Sequence, residues 1–347
     1  MCSDRDLARS CLLRTDGTRV SGVLAVARIE IVLRFRAGRW RWLLISWFAG
    51  LLLFSWLLYV VVSRSSSLSG HRGAVLFGGL QLFMLALALF IVPALTSQSV
   101  NGDRERGRLG VLQVTELSSF DFVAGKLVAA WGTACVFVIV SAPITIWATV
   151  EGGISLWQVI VVTLVMMLLL GIICAIGLGL SALLARSTTS SVLTYVSVFV
   201  LVLGTVVLAG LVTAVTRASD AGQATSEAWY LLAPNPFVIL ADAAPSAPLK
   251  RTCYTGAGVQ VQGGATSGQG TFCQTTVQSG DVLGSIRLDV RGMESSPPGL
   301  IGNPGTGGPV WPYGLAFDLL VAALLLWAAI RNMKTPKRRL PKGVRLA

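Results

Sequence analysis

Six long apolar runs constrain this chain more than anything else in it: Leu43–Val62, Val75–Leu95, Leu127–Val150, Trp157–Leu184, Val192–Val215 and Gly314–Ile330. A helix needs about 20 apolar residues to cross a hydrocarbon core. Every backbone N–H and C=O in such a run must be bonded within it, so the runs predict helices. Barrel strands would be about half as long and would alternate apolar with polar side chains. Of the 347 residues, 54% are hydrophobic and 13% charged, and the mean hydropathy is +0.72. That is too little charge to cover a water-exposed surface. The expectation is an all-α polytopic membrane protein with six transmembrane helices.

Charge placement predicts its orientation. Residues 1–42 carry nine basic residues and the tail from Arg331 to Ala347 seven. Arg104, Arg106, Arg108, Lys126 and Arg186 bring the total to 21 of the 28 in the chain. Such a bias marks the cytoplasmic side. It predicts a multi-pass protein of the plasma (inner) membrane with both termini cytoplasmic and cytoplasmic segments at 97–123 and 185–190. Short loops at 63–74 and 151–156 and a long loop at 216–313 then face outward. The chain divides into a basic segment 1–42, five spans within 43–215, the outer loop, a sixth span at 314–330 and a basic tail 331–347. Residues 1–42 contain no apolar run of about 15 residues, which predicts no cleavable signal peptide. The net charge of +12 is read as topology plus attraction to anionic membrane lipid, not as a nucleic-acid surface. Trp40 and Trp42 at one end of the first span, Trp147 and Trp157 around the short outer loop, and Trp311 and Tyr313 opening the last span fit interfacial belts.

Local patterns refine the frame. Val23–Arg36 mixes Val26, Ile29, Leu33 and Phe35 with Arg28, Glu30, Arg34 and Arg36, which predicts an interfacial helix on the inner leaflet. Pro93 and Pro143 predict a kink or an end in the second and third spans. Gly171, Ala175, Gly177, Gly179 and Ser181 permit close helix approach on the fourth span, within the subunit or across a dimer seam. In the outer loop, Asn235–Leu240 reads as a segment that re-enters or lies on the outer leaflet. From Ala244 to Pro309 the chain reads as irregular, with short strands such as Gly258–Val261 and Ile286–Val290. Of six cysteines, only Cys253 and Cys273 fall outside, in a compartment that permits a disulfide. Closing a loop of about 20 residues contributes roughly 3 kcal/mol in the loop-entropy model.

Few residues offer chemistry. The sequence has no G-x-x-x-x-G-K-[ST], no H-E-x-x-H, no G-x-S-x-G and a single histidine, His71, so catalytic or nucleotide-binding motifs are missing. Neither a metal nor a cofactor is expected on the chain. Asp318, about one turn into the last span, has two readings. It is a substrate-path or proton-linked group, or an interfacial residue wetted from outside or bonded to a neighbouring helix. The remaining feature is Asn101–Lys126. Asp103, Arg104, Glu105, Arg106 and Arg108 begin a mixed-charge segment, and Leu109, Val111, Leu112, Val114 and Leu117 follow. Ser118-Ser119-Phe120-Asp121 offers an N-cap for the next helix. On physical grounds the segment is either a short helix across the mouth of two spans, able to tilt both, or a solvated loop whose charges fix topology.

Asp103-Arg104-Glu105-Arg106-Gly107, the apolar Leu109 and Leu112, the polar Thr115 and Ser118, and the closing Gly125-Lys126 together resemble the signature of ABC-2-type (type V) exporter permeases. Six spans, a basic N-terminal segment and a long outer loop before the last span are also similar. Arg108 stands where that family usually has Thr, and Glu116 where it often has Pro. The resemblance implies that 101–118 is a coupling helix docking on a separate ATPase subunit, with Asp103, Arg104, Glu105, Arg106 and Gly107 at the contact. It implies a second permease copy, identical or paralogous. It places ATP and Mg on the partner subunit, so that the chain is no enzyme by itself. The expected function is export of an amphipathic or hydrophobic compound. The rival readings are a scaffold or sensor with a ligand-binding outer loop, and an intramembrane enzyme.

Overall fold

A computed structural model describes residues 22–36, 38–64, 72–105, 118–152, 154–219, 229–245, 250–256, 270–276, 281–295 and 308–334. Among the described residues, six helical stretches are long and apolar enough to cross a membrane: Trp40–Ser63, Arg72–Glu105, Ser119–Val150, Leu156–Leu183, Ser187–Val215 and Trp311–Met333. Each matches one apolar run of the sequence, with ends that differ by up to ten residues. The architecture is that of a multi-pass helical membrane protein.

In chain order the elements are α1 (22–36), α2 (Gly38–Ser63), α3 (Arg72–Thr96), α4 (Asn101–Glu105), α5 (Ser119–Val140), α6 (Ala142–Val150), α7 (Leu156–Leu183) and α8 (Ser187–Phe199). A π-helical turn at Val200–Gly204 leads into α9 (Thr205–Ser219). Then come α10 (Trp229–Leu232), α11 (Pro236–Ala243), strands β1 (Lys250–Gly256) and β2 (Gly270–Thr276), α12 (Val282–Ser295) and α13 (Trp311–Lys334). The end of the bundle where α1, α4 and the α7–α8 turn meet is called the basic end, and the opposite end the loop end. The third span divides into α5 and α6 at Ser141, with Pro143 in the first turn of α6. Pro93 lies inside α3, three residues before that helix gives way to a turn. Pro143 thus stands where the third span is interrupted, since proline removes a donor and clashes with the carbonyl four residues back.

The fourth span is the centre of the bundle. Helix α7 packs on α3, α5, α8, α11 and α13. Its Met166, Leu169, Leu170 and Ile173 join Phe77, Leu80, Met84, Leu85 and Ala88 of α3 in the main core. Lipid is as apolar as leucine, so such helices are held by close fit rather than by escape from water. At Gly179 a Cβ would meet the Leu325 side chain and backbone of α13, so glycine is required there for the two helices to touch. The small residues of this span therefore serve contacts within the chain.

The loop end is more ordered than its composition suggests. Ile239, Leu240 and Ala241 of α11 are fully buried in the main core, so the Asn235–Leu240 segment inserts among the spans instead of lying on a surface. Ile286–Val290, expected as a strand, lies inside α12. The expectation failed because Ile286, Leu288 and Val290 alternate over five residues. Over the longer window, Leu283, Arg287 and Val290 form the buried face of a helix, and Asp281 Oδ1 caps it by accepting from Gly284 N at 2.9 Å. Gly258–Val261 lies outside the described residues. Among the described residues the strands are β1 and β2, paired antiparallel with Cys253 opposite Cys273.

The interfacial tryptophans divide. Trp42, Trp157 and Tyr313 are exposed on the bundle surface, but Trp40 is buried, edge-on to Phe35 and Phe137.

Candidate functional site

The charged segment after the second span is a joint. Helix α3 ends at Thr96, a turn follows, and α4 adds one more helical turn over Asn101–Glu105. Serines hold the turn against α7 and α8. Ser190 Oγ donates to Ser97 O at 2.7 Å, Ser97 and Ser191 share a hydroxyl bond at 3.1 Å, and Ser181 Oγ accepts from Val100 N and Asn101 N. Asn101 Nδ2 donates to Arg186 O, and Arg104 Nη1 donates to Leu184 O at 3.3 Å and to Asn101 Oδ1. Glu105 Oε1 accepts from Ser187 N at 3.3 Å, at the first residue of α8. Side-chain hydroxyls and amides thus take the backbone groups that a chain leaving one helix for another exposes.

A buried cation lies on the other side of the joint. Lys126 of α5 is 1% exposed. Its Nζ meets Asp103 at 2.7 Å, Glu30 of α1 at 3.4 Å and the Ser99 carbonyl at 2.9 Å, and lies 5.3 Å from the centre of the Phe122 ring. Glu30 also pairs with Arg34 at 3.3 Å, and Arg34 Nη1 donates to Thr133 Oγ1. A buried charge is tolerated only when it is paired and fully hydrogen-bonded, and this one is. Helix α1 approaches closely because residue 125 is glycine: a Cβ there would collide with Val26 and the Val23 carbonyl. Ser118 caps α5, its Oγ accepting from Asp121 N at 3.1 Å while Asp121 Oδ2 accepts from Ser118 N at 3.2 Å. The N-cap expected in Ser118–Asp121 is present, and the reciprocal bond makes it a capping box.

The structure therefore sorts the residues singled out in 101–118. Asp103 and Arg104 turn inward and hold the joint together, whereas Glu105 is exposed. Arg106 and Gly107 lie outside the described residues. Lys126, which closes the charged segment in the sequence, is the hub of the ion-pair group. Its spacing carried the signal: Phe122, Val123, Gly125, Lys126, Ala129 and Ala130 share the buried face of α5. Glu30 and the serines at 97, 181 and 190 had no comparable signature.

Asp318 is 3% exposed, and its Oδ1 has no hydrogen-bond partner among the described residues. That burial sets it apart from an exposed interfacial residue. It stands seven residues into α13, about 10 Å along the axis at about 1.5 Å per residue. Leu315 and Ala322, on the same face, pack into the clusters around α7.

At the loop end Asp242 of α11 is 2% exposed. It accepts from Arg291 Nε at 2.5 Å, Val310 N at 2.7 Å and Trp311 N at 2.8 Å. Its carboxylate sits at the start of α13, where unbonded N–H groups and the helix dipole favour an anion. Arg287 donates to Ala244 O at 3.0 Å. Burial lowers the Arg287 guanidinium from its ordinary value, and Arg291 pushes the same way, against Asp281 and Asp242. These bonds clamp α11, α12 and α13 into one block.

Two apolar grooves flank the fifth span. One, of about 460 Å³, runs between α3 and α8 past Phe90, Tyr195, Phe199 and Phe237. The other, of about 640 Å³, is bounded by the π-helical turn, Tyr230, Tyr313 and Phe317.

Fold and site together define a class: a multi-pass helical membrane protein whose spans are tied at one end by a buried ion-pair joint and at the other by an inserted helical block. The chain matches no protein-family model and no curated protein sequence.

Proposed function

We propose that this chain is the membrane-spanning permease subunit of an ATP-driven exporter. In this reading the basic end faces the cytoplasm of a plasma (inner) membrane, both termini lie there, and a separate ATPase subunit binds ATP and Mg and performs the hydrolysis. A second permease copy completes the pathway, and the cargo is amphipathic or hydrophobic. One observation carries the reading: the Ser97–Glu105 segment is bonded at once to α5, α7 and α8, and through Lys126 to α1. A push on this segment is delivered to four helices, which is what a docking point for an external motor requires. Glu105, exposed at its tip, is the natural contact, with Asp103 and Arg104 keeping the segment stiff behind it. Support for the cargo class comes from the two grooves, whose linings are almost wholly apolar.

The test uses tagged full-length chain purified from its native membranes in mild detergent. The wild type is expected to bring down a vanadate-sensitive Mg-ATPase. The Glu105→Lys/Arg106→Glu double variant is expected to lose it while eluting as a folded protein, because the Glu105 side chain makes one hydrogen bond among the described residues. No ATPase with the wild type, or undiminished ATPase with the variant, refutes the coupling role.

A further inference from the structure

We propose that Asn235 holds the fifth span in its π-helical register, and that this register sets which side chains line the two apolar grooves beside it. The chemistry begins with the Asn235-Pro236 pair. Asn235 is the N-cap of α11, with Pro236 in its first turn. Its Oδ1 accepts from Phe237 N at 2.9 Å, which fixes the orientation of the amide, because only the oxygen can accept that proton. The Nδ2 group is therefore turned to the fifth span, where it donates to Val202 O at 2.9 Å and to Thr205 Oγ1 at 3.0 Å. Asn235 is 2% exposed, so no water competes for these bonds.

The span needs them. Thr205 N bonds to Val200 O, five residues back. An α-helix would use Leu201 O, which is bypassed and instead accepts from Thr205 Oγ1 at 2.8 Å. Two side chains, Thr205 and Asn235, thus serve carbonyls at the turn, in a segment where lipid offers no donor. Single π-helical turns inside helices are uncommon and concentrate at functional positions.

The register matters because one inserted residue turns everything after it by about 100° in a helix of 3.6 residues per turn. Val202 and Leu203 face one groove, while Val200, Gly204 and Thr205 face the other. Annealing the turn to α-helix would rotate Val207, Leu208 and Leu211 out of the larger groove. Asn235 itself sits in the shared wall: Pro234 lines the larger groove and Phe237 the smaller. It is a positioning residue, acting through the span it braces, and the ligand class it governs is a molecule with a large apolar body. Naming that ligand as cargo rests on the export reading; the structural role of Asn235 does not.

Asn235→Ser is the selective variant. Its Oγ can still accept from Phe237 N and cap α11, but the shorter side chain carries no donor to Val202 O. Thr205→Val removes the other hydroxyl at the same shape and serves if Asn235→Ser does not fold. Nitroxide labels placed singly along 196–211 of the full chain in lipid report oxygen accessibility. The wild type is expected to show a slip in helical phase at 200–204, and either variant a continuous α period with the 205–211 pattern turned by about 100°. In parallel, a diazirine-bearing octylamine is photolysed and its adducts mapped. Adducts on the peptides bearing Tyr230 and Phe317 are expected in the wild type and several-fold fewer in the variants. An unchanged accessibility pattern in both folded variants overturns the proposal. A shifted pattern with unchanged adducts overturns its groove-lining half. A wild type that shows the slip but takes no adduct counts against the export reading and leaves the role of Asn235 in the register standing.

Discussion

Lys126 shows how much one side chain can hold. Its Nζ touches groups from α1, the turn before α4, and α4 itself, while its own helix supplies a phenyl ring beneath it. Removing one member of a buried pair leaves the other uncompensated, at about 3–5 kcal/mol. The Asp103 side chain is 14% exposed and that of Glu30 is 24%, so the lower end of that range applies. Lys126→Met is therefore expected to destabilise the folded chain by about 3 kcal/mol, read as a lower midpoint in detergent unfolding. The Asp103→Asn/Lys126→Met double variant is expected to recover part of the loss, since it removes the stranded charge. Equal stability of wild type and Lys126→Met would mean that the group is wet and the pairing incidental. This hub was partly legible in the sequence, because a lysine on the buried face of a membrane helix requires an acid. Which acid answers it was not legible: Glu30 and Asp103 come from segments 96 and 23 residues away, and only packing brings them together.

Whole elements were easier to read where one physical constraint dominated. The six spans stood out because lipid forces long unbroken apolar helices, and the α5 cap stood out because Ser118 and Asp121 form a local pair. Helix α12 was missed because it is amphipathic and short, so a five-residue window imitates strand alternation. The β-hairpin was missed as well, since Thr- and Gly-rich sequence gives no clean period, yet its pairing sharpens one expectation. Cys253 and Cys273 are Cα partners in the ladder. Residues directly opposite in an antiparallel pair have Cα atoms about 4.5–5.5 Å apart, inside the window of about 4.4–6.8 Å that a disulfide requires. The bond is expected to form in an oxidising compartment. Alkylation of the unfolded, unreduced chain should then modify four of its six cysteines, and reduction should release Cys253 and Cys273. Full alkylation without reductant would show that the strands pair with free thiols. Such an outcome would also argue against an oxidising environment at the loop end, and so against the proposed orientation.

At the scale of the whole molecule, the spans are unequally covered. Within the most apolar stretch of each, 56% of the second span is buried in the chain, against 11% of the fifth. The fifth span also has a groove on either side, and its Phe199, Leu203, Val206 and Val207 are exposed. Helices pack by setting ridges into grooves. A twofold interface uses the same patch on both subunits, so a partner packed here would bring its own fifth span to this face. This is where the second permease copy of the proposed exporter is expected to sit. Exposure alone does not establish it, because lipid covers any apolar face, so the comparison needs a matched control. Leu164 on the fourth span is 60% exposed and Val207 66%. They lie eight residues in from Leu156 and from Val215, the loop-end limits of their spans, so their depth is the same. In a chain with Cys2 and Cys11 replaced by Ser, Val207→Cys is expected to give a covalent dimer with a short bis-maleimide in native membranes, and Leu164→Cys to remain monomeric. Equal cross-linking at both sites would indicate random collision, and none at Val207 would place the seam elsewhere. The two grooves would then face lipid on both sides of a single chain. The cargo would have to enter laterally along the fifth span, and an isolated chain reconstituted with its ATPase at one copy per vesicle should still transport.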